Sequence, residues 1–158
     1  MKKVYADTSF FGAIFRFQRK GFSPSAERWW RENNRIQLIY SRLNEFELYT
    51  QLDRARVKKS MKPKKIRKSL LAFEDAVARK FIVRRDVPAT DVICESAERI
   101  LKTKAANLPI ASFDLFHLAI AKILEADTFL SFDGEQRDLA ADMGMKVFPL
   151  PPFETLPS

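Results

Sequence analysis

Residues 112–140 read SFDLFHLAIAKILEADTFLSFDGEQRDLA, and this stretch decides the fold. Ser112 is a good helix N-cap, Asp114 stands in the first turn behind it, and Ala119, Ile120, Ala121, Ile123 and Leu124 make the helix too apolar to be a solvated surface helix. Residues 128–131 then read as a short core strand. Asp133 starts the next helix, with Gln136 three residues on and Leu139 and Ala140 on its inner face. In an open α/β sheet, the carboxyl ends of strands and the starts of helices converge on one crevice. Asp114 and Asp133 are thereby aimed at one place.

The same alternation runs through the rest of the chain. Residues 3–6 form a short strand ending at Asp7, Thr8 and Ser9, and FFGAIFRF follows as an apolar helix. Ser23 and Pro24 signal a helix start, and AERWWRENN carries that helix to Asn34. Residues 36–40 make a second strand, after which Ser41 caps a long helix, RLNEFELYTQLDRARVKK, expected to stop near Pro63. Residues 66–79 have helical spacing, FIVRR is a third strand, a helix lies beyond Pro88, and MKVFPL is the last strand. Strands alternating with helices predict a three-layer α/β/α sandwich with a mainly parallel sheet of four to five strands. One domain over residues 1–150 and a proline-bearing tail over 151–158 are expected.

Composition narrows the chemistry. A chain of 158 residues with 46% hydrophobic content and 14 phenylalanines can bury a real core without staples. Cys94 is the single cysteine, so no disulfide forms within the chain, and a reducing compartment is expected, with Cys94 as a small buried hydrophobe. The first residues are interrupted by Asp7 and Arg16 too early for a signal peptide, and no apolar run approaches the roughly 20 residues that span a bilayer, so a soluble, cytoplasmic protein without a membrane partner is expected. The net charge of +8 points to a polyanionic partner. Nine basic residues and no acid between Arg54 and Lys68 concentrate that charge; the ordinary reading is a solvated helix end and loop.

Asp7, Asp114 and Asp133 all occupy helix starts, where the macrodipole favours a carboxylate. Plain capping explains Asp133 well, since D-x-x-Q is a capping-box pattern. It explains Asp7 less well, because Ser9 is at hand to cap. Asp114 leads an almost wholly apolar helix and needs compensation, of which a cation is one source. Glu45 and Glu47 on the long helix point in nearly opposite directions, and helical geometry does not choose between them. An acidic set with one histidine and no cysteine partner suits a hard cation such as Mg²⁺ or Mn²⁺. His117, three residues after Asp114, could orient an acid or touch a phosphate, although a lone histidine on an apolar helix is more often a satisfied core residue.

VYADTSFF at the start, S-x-L-x-x-x-E-L over residues 41–48, D-x-x-H-x-A-x-A over 114–121 and FLSFDGEQRDLA over 129–140 occur in an order that resembles the PIN-domain nucleases, and within them the VapC-type toxins of toxin–antitoxin pairs. The resemblance implies a PIN-like fold and a metal-dependent ribonuclease whose four acids are Asp7, Glu47, Asp114 and Asp133. It selects Glu47 over Glu45. It implies that Thr8 or Ser9 supports the site, with Ser131 near the fourth acid. Asp7, Glu47 and Asp114 are expected to contact Mg²⁺ or Mn²⁺, and Asp133 a second ion or a metal-bound water. Arg54, Arg56, Lys58 and Lys59 extend from the helix carrying Glu47 and are placed to grip an RNA backbone. A small antitoxin and a second copy of the chain are the implied protein partners. Phe10, Phe11, Phe15, Phe17, Phe22, Trp29 and Trp30 would offer such a surface if the core does not absorb them.

Two rival readings follow from the same residues. One is a non-catalytic PIN-like RNA-binding or scaffold module, in which the acids merely cap helices. The other is a phosphatase of the haloacid-dehalogenase type, which also has an Asp after its first strand. Here D-T-S lacks the second Asp two residues on.

Overall fold

The computed structural model describes residues 2–17, 24–33 and 36–149. The elements are β1 (Val4–Ala6), α1 (Thr8–Phe15), α2 (Pro24–Glu32), β2 (Leu38–Tyr40), α3 (Arg42–Val57), α4 (Pro63–Ala78), β3 (Ile82–Arg84), α5 (Thr90–Thr103), α6 (Ser112–Ile123), β4 (Thr128–Leu130), α7 (Gly134–Asp142) and β5 (Lys146–Phe148). All five strands pair in parallel in the order β3-β2-β1-β4-β5. From β1 the chain builds outward through β2 and β3, then returns to add β4 and β5 on the other side. The order therefore reverses between β1 and β4, and that is where an open parallel sheet places its ligand crevice. The turn after β1 is tied across this point, the Asp7 N–H donating to the Leu130 carbonyl at 2.9 Å.

The three-residue strands alternate in facing. Val4, Ala6, Leu38, Tyr40, Ile82 and Leu130 enter one apolar layer with α1 and with Phe73 of α4, whereas Tyr5, Ile39 and Phe129 enter the other with α5, α6 and α7. The predicted α/β/α sandwich is thus the observed one. Phe73 touches the rings of Phe11, Phe15, Phe17 and Tyr40 at 5.5–6.2 Å. Truncating it to alanine would cost about 3–5 kcal/mol.

Several local expectations need correction. Phe10, Phe11, Phe15 and Phe17 are buried core, and Trp29 and Trp30, half-buried, pack against that core. The exposed aromatics are instead Phe46, Tyr49, Phe81 and Phe113. The long helix ends at Val57, because Lys59 takes a left-handed φ of 52°, and α4 restarts at Pro63 with the proline at its N-terminal turn. The basic run is therefore shared by two helices. Ser112 does not cap α6; Ala111 holds the cap position with no side-chain bond, and Ser112 is already helical. Cys94 is half-buried and free. Among the described residues, no helix is long and apolar enough to cross a membrane. Phe22, the helix-start Ser23, Asn34 and the tail over 151–158 lie outside the described residues.

Candidate active site

The crevice is assembled from the residue after β1, the second turn of α3, the first turn of α6, and the turn between β4 and α7. Asp7 is buried and is itself the N-cap of α1: its Oδ1 accepts from the Phe10 N–H at 3.1 Å and from Ser9 Oγ at 2.7 Å. Ser9, expected to be the cap, serves the acid instead. The other oxygen of Asp7, Oδ2, accepts from Ser131 Oγ at 3.0 Å. Burial pushes the Asp7 carboxyl up, against the charge of His117 and the bonds from Ser9, Phe10 and Ser131.

Asp133 caps α7, accepting the Gln136 N–H at 2.8 Å. The reciprocal half of the capping box is absent. The Asp133 N–H donates to Ser131 Oγ at 2.9 Å, and the Gln136 amide is employed elsewhere. It accepts from Ser131 Oγ at 2.8 Å and donates to Asp114 Oδ1 at 2.9 Å. Fully buried Gln136 thus links Asp114, Ser131 and Asp133. Buried Arg137 supports the same turn, donating to the Ser131 carbonyl at 3.1 Å. The capping signal found Gln136 as a helix residue, but nothing in the sequence marked either side chain as part of the site.

Of the two glutamates on α3, Glu47 turns into the crevice. Its Oε2 accepts from Thr8 Oγ1 and lies 2.6 Å from Nε2 of buried His117. Glu45 turns away, accepting from Tyr40 at 3.1 Å and pairing with Arg42 at 2.6 Å and Arg84 at 3.5 Å. His117 is both the satisfied core residue and the neighbour of an acid, since its Nδ1 meets the Tyr5 hydroxyl at 2.8 Å. Burial works to raise Glu47, but the hydrogen bond and charge of His117, with Thr8, hold it below its usual value.

The acids sense one another. Asp114 is pushed up to about 6, first by burial and then by the charges of Asp133 and Asp7, with a smaller push from Glu47. Carboxylate oxygens that repel one another at the mouth of a crevice are the donor set a hard divalent cation neutralises. As the side chains stand, no group of three His, Cys, Asp or Glu among the described residues is arranged to hold a metal: Glu47 is turned onto His117 and Thr8, and Asp114 onto Gln136. The residues fit such an ion by chemistry, and the protein donors fall on Oε2 of Glu47 and on Oδ1 of Asp114.

Arg54, Arg56, Lys58 and Lys59 are all exposed, but they do not share a face. Arg54 and Lys58 follow Glu47 on its own side of α3, about 10 and 16 Å along the axis. Arg56 lies on the opposite side, bonded to Asp53 at 2.5 Å.

The profile of the PIN domain matches residues 4–142, a span that contains all four acids, and the chain belongs to the PIN domain family. PIN domains are in general nucleases, and PIN nucleases generally use divalent metals. Among solved structures, the fold is similar to a chain of FitAcB from Neisseria gonorrhoeae, with 19% identity, a TM-score of 0.59, and coverage of 92% of this chain and 96% of that one. No curated protein matches by sequence.

Proposed function

We propose that the chain is a metal-dependent ribonuclease that hydrolyses RNA phosphodiester bonds at the crevice of Asp7, Glu47, Asp114 and Asp133, and that it serves as the toxin of a VapBC-type toxin–antitoxin pair. The observation that carries the reading is the way the four acids are tied together: Ser131 bonds Asp7 and the Asp133 N–H, Gln136 bonds Asp114 and the Asp133 carboxylate, and Thr8, next to Asp7, bonds Glu47. Asp7, Glu47 and Asp114 would hold Mg²⁺ or Mn²⁺, with Asp133 beside them. When bound, the ion supplies activation of the attacking water and stabilisation of charge on the scissile phosphate.

The chain's own groups do the rest. Ser9 and Ser131 fix Asp7, Thr8 and His117 fix Glu47, and Gln136 fixes Asp114. Arg54 and Lys58 lead outward from the acids and would bind the phosphates of the RNA. Such contacts supply affinity and no sequence choice. Single-stranded or looped RNA suits the site, since its bases can be splayed out of the way of the reacting bond. A small antitoxin, a homodimer and a cytoplasmic location accompany this reading.

Cleavage of RNA with Mg²⁺ or Mn²⁺, its loss with chelator, and its loss in Asp7→Asn are the expected results. Equal cleavage by the Asp7→Asn variant would sink the site. A non-catalytic RNA-binding module is favoured by one observation, that Glu47 and Asp114 are already satisfied by protein donors. Calorimetric titration with Mn²⁺ separates the two: a module whose acids only cap helices takes up no ion.

A further inference from the structure

His117 is the only histidine in the chain and carries no part of the acid set, yet it is buried between the sheet and the crevice. Its Nε2 lies 2.6 Å from Glu47 Oε2. A carboxylate oxygen only accepts, so the hydrogen in that contact belongs to Nε2. On the other side of the ring, Nδ1 meets the Tyr5 hydroxyl at 2.8 Å. That hydroxyl also lies 3.1 Å from Asn44 Oδ1. Asn44 Oδ1 already receives the Ser41 N–H at 2.8 Å and the Ser41 hydroxyl at 3.0 Å, while the Asn44 amide donates to the Ala6 carbonyl at 3.0 Å. Of the three contacts of the Tyr5 hydroxyl, with Asn44 Oδ1 at 3.1 Å, Ser41 Oγ at 3.3 Å and His117 Nδ1 at 2.8 Å, the one to the imidazole is the shortest.

We propose that Tyr5 and His117 are positioning residues for Glu47: Tyr5, rooted in the central strand, holds the imidazole at Nδ1, and the Nε2 N–H joins the Thr8 hydroxyl in setting the carboxylate for cation binding. The inference rests on the reading of Glu47 as a metal-binding acid. Partners of this kind, one step removed from the metal, typically change its affinity by about 10–100-fold.

The test is calorimetric titration of the folded protein with Mn²⁺ alone, compared across variants. His117→Leu is expected to weaken Mn²⁺ by about tenfold or more. His117→Gln, whose amide can donate from nearly the same place, recovers most of that loss, and Tyr5→Phe gives a smaller loss. In a Glu47→Gln background, His117→Leu adds nothing further, which a general loss of packing would not reproduce. If Glu47→Gln weakens Mn²⁺ binding but Tyr5→Phe and His117→Leu both bind as the parent does, the positioning role is overturned and the acid site stands. If Glu47→Gln itself leaves Mn²⁺ affinity unchanged, the acid site fails and this inference fails with it. Should His117→Leu not fold, Tyr5→Phe and His117→Gln carry the comparison, since each keeps the shape of the core.

Discussion

The crevice and the basic arm carry opposite charges and are held in opposite ways. Asp7 has three donors to its two oxygens, and Glu47 and Asp114 are each bound by side chains from another element. Arg54, Lys58 and Lys59 stand in solvent, and Arg56 is bonded within its own helix. Geometry is thus invested in the acids and only charge in the bases. Changes in the crevice should alter the catalytic step with little dependence on salt, while changes in the arm should alter binding and its salt dependence.

The largest effect is expected from Asp7→Asn, with cleavage falling about a hundredfold or more. The fold should survive it. Asn keeps an oxygen for the α1 cap, its Nδ2 can donate to Ser131 Oγ, and the Ser131 hydrogen then goes to Gln136. A melting curve close to that of the parent, measured beside the activity, checks both halves. Next comes Gln136→Leu, which removes the side-chain donor to Asp114 while Ser131 keeps Asp7 and the Asp133 N–H, and should cost about 1 kcal/mol in urea unfolding. A neutral result would mean that Gln136 does not hold the far wall together.

Asp114 gives a subtler test. Its native value, about 6, lies above the ordinary carboxyl value, so across roughly pH 4–6 the folded state holds a proton that the unfolded state has released. Its contribution to stability therefore falls as pH rises through that window. Asp114→Asn should melt higher than the parent at pH 7, with the difference shrinking toward pH 4. Mn²⁺ should raise the melting temperature of the parent more than that of the variant. Smallest of all is the split within the arm. Arg54→Ala should weaken RNA binding severalfold and reduce the salt slope by about one, whereas Arg56→Ala should do less. Equal effects would erase the distinction between the two faces of α3.

Sequence pattern was enough to place the layers, the parallel sheet and the turns that bear Asp7, Asp114 and Asp133, because buried strands and apolar helices repeat with different periods. It could not choose between Glu45 and Glu47. That choice depends on Arg42 and Arg84 claiming one acid and His117 and Thr8 the other, and three of these four come from other elements. Sequence left the N-terminal aromatics open between core and partner surface, and the core takes up Phe10, Phe11, Phe15 and Phe17. Apolar side chains crowded in sequence reveal nothing about how many facing positions a helix such as α4 will supply, and Phe73 alone receives four of their rings or neighbours. Gln136 was readable as part of a cap and unreadable as a link, because its second partner, Asp114, lies 22 residues away.

The central place of β1 has a temporal consequence. Asp7 is synthesised well before the strand that brings its partner Ser131 alongside, since β4 follows more than 120 residues later. No fragment that stops short of β4 and α7 can close the crevice, so a growing chain carries its acids apart and inert. Assembly must wait for a contact between distant segments, the kind whose loop closure makes folding slow. A ribonuclease of the kind proposed, meeting RNA while it is translated from it, would be protected by that delay.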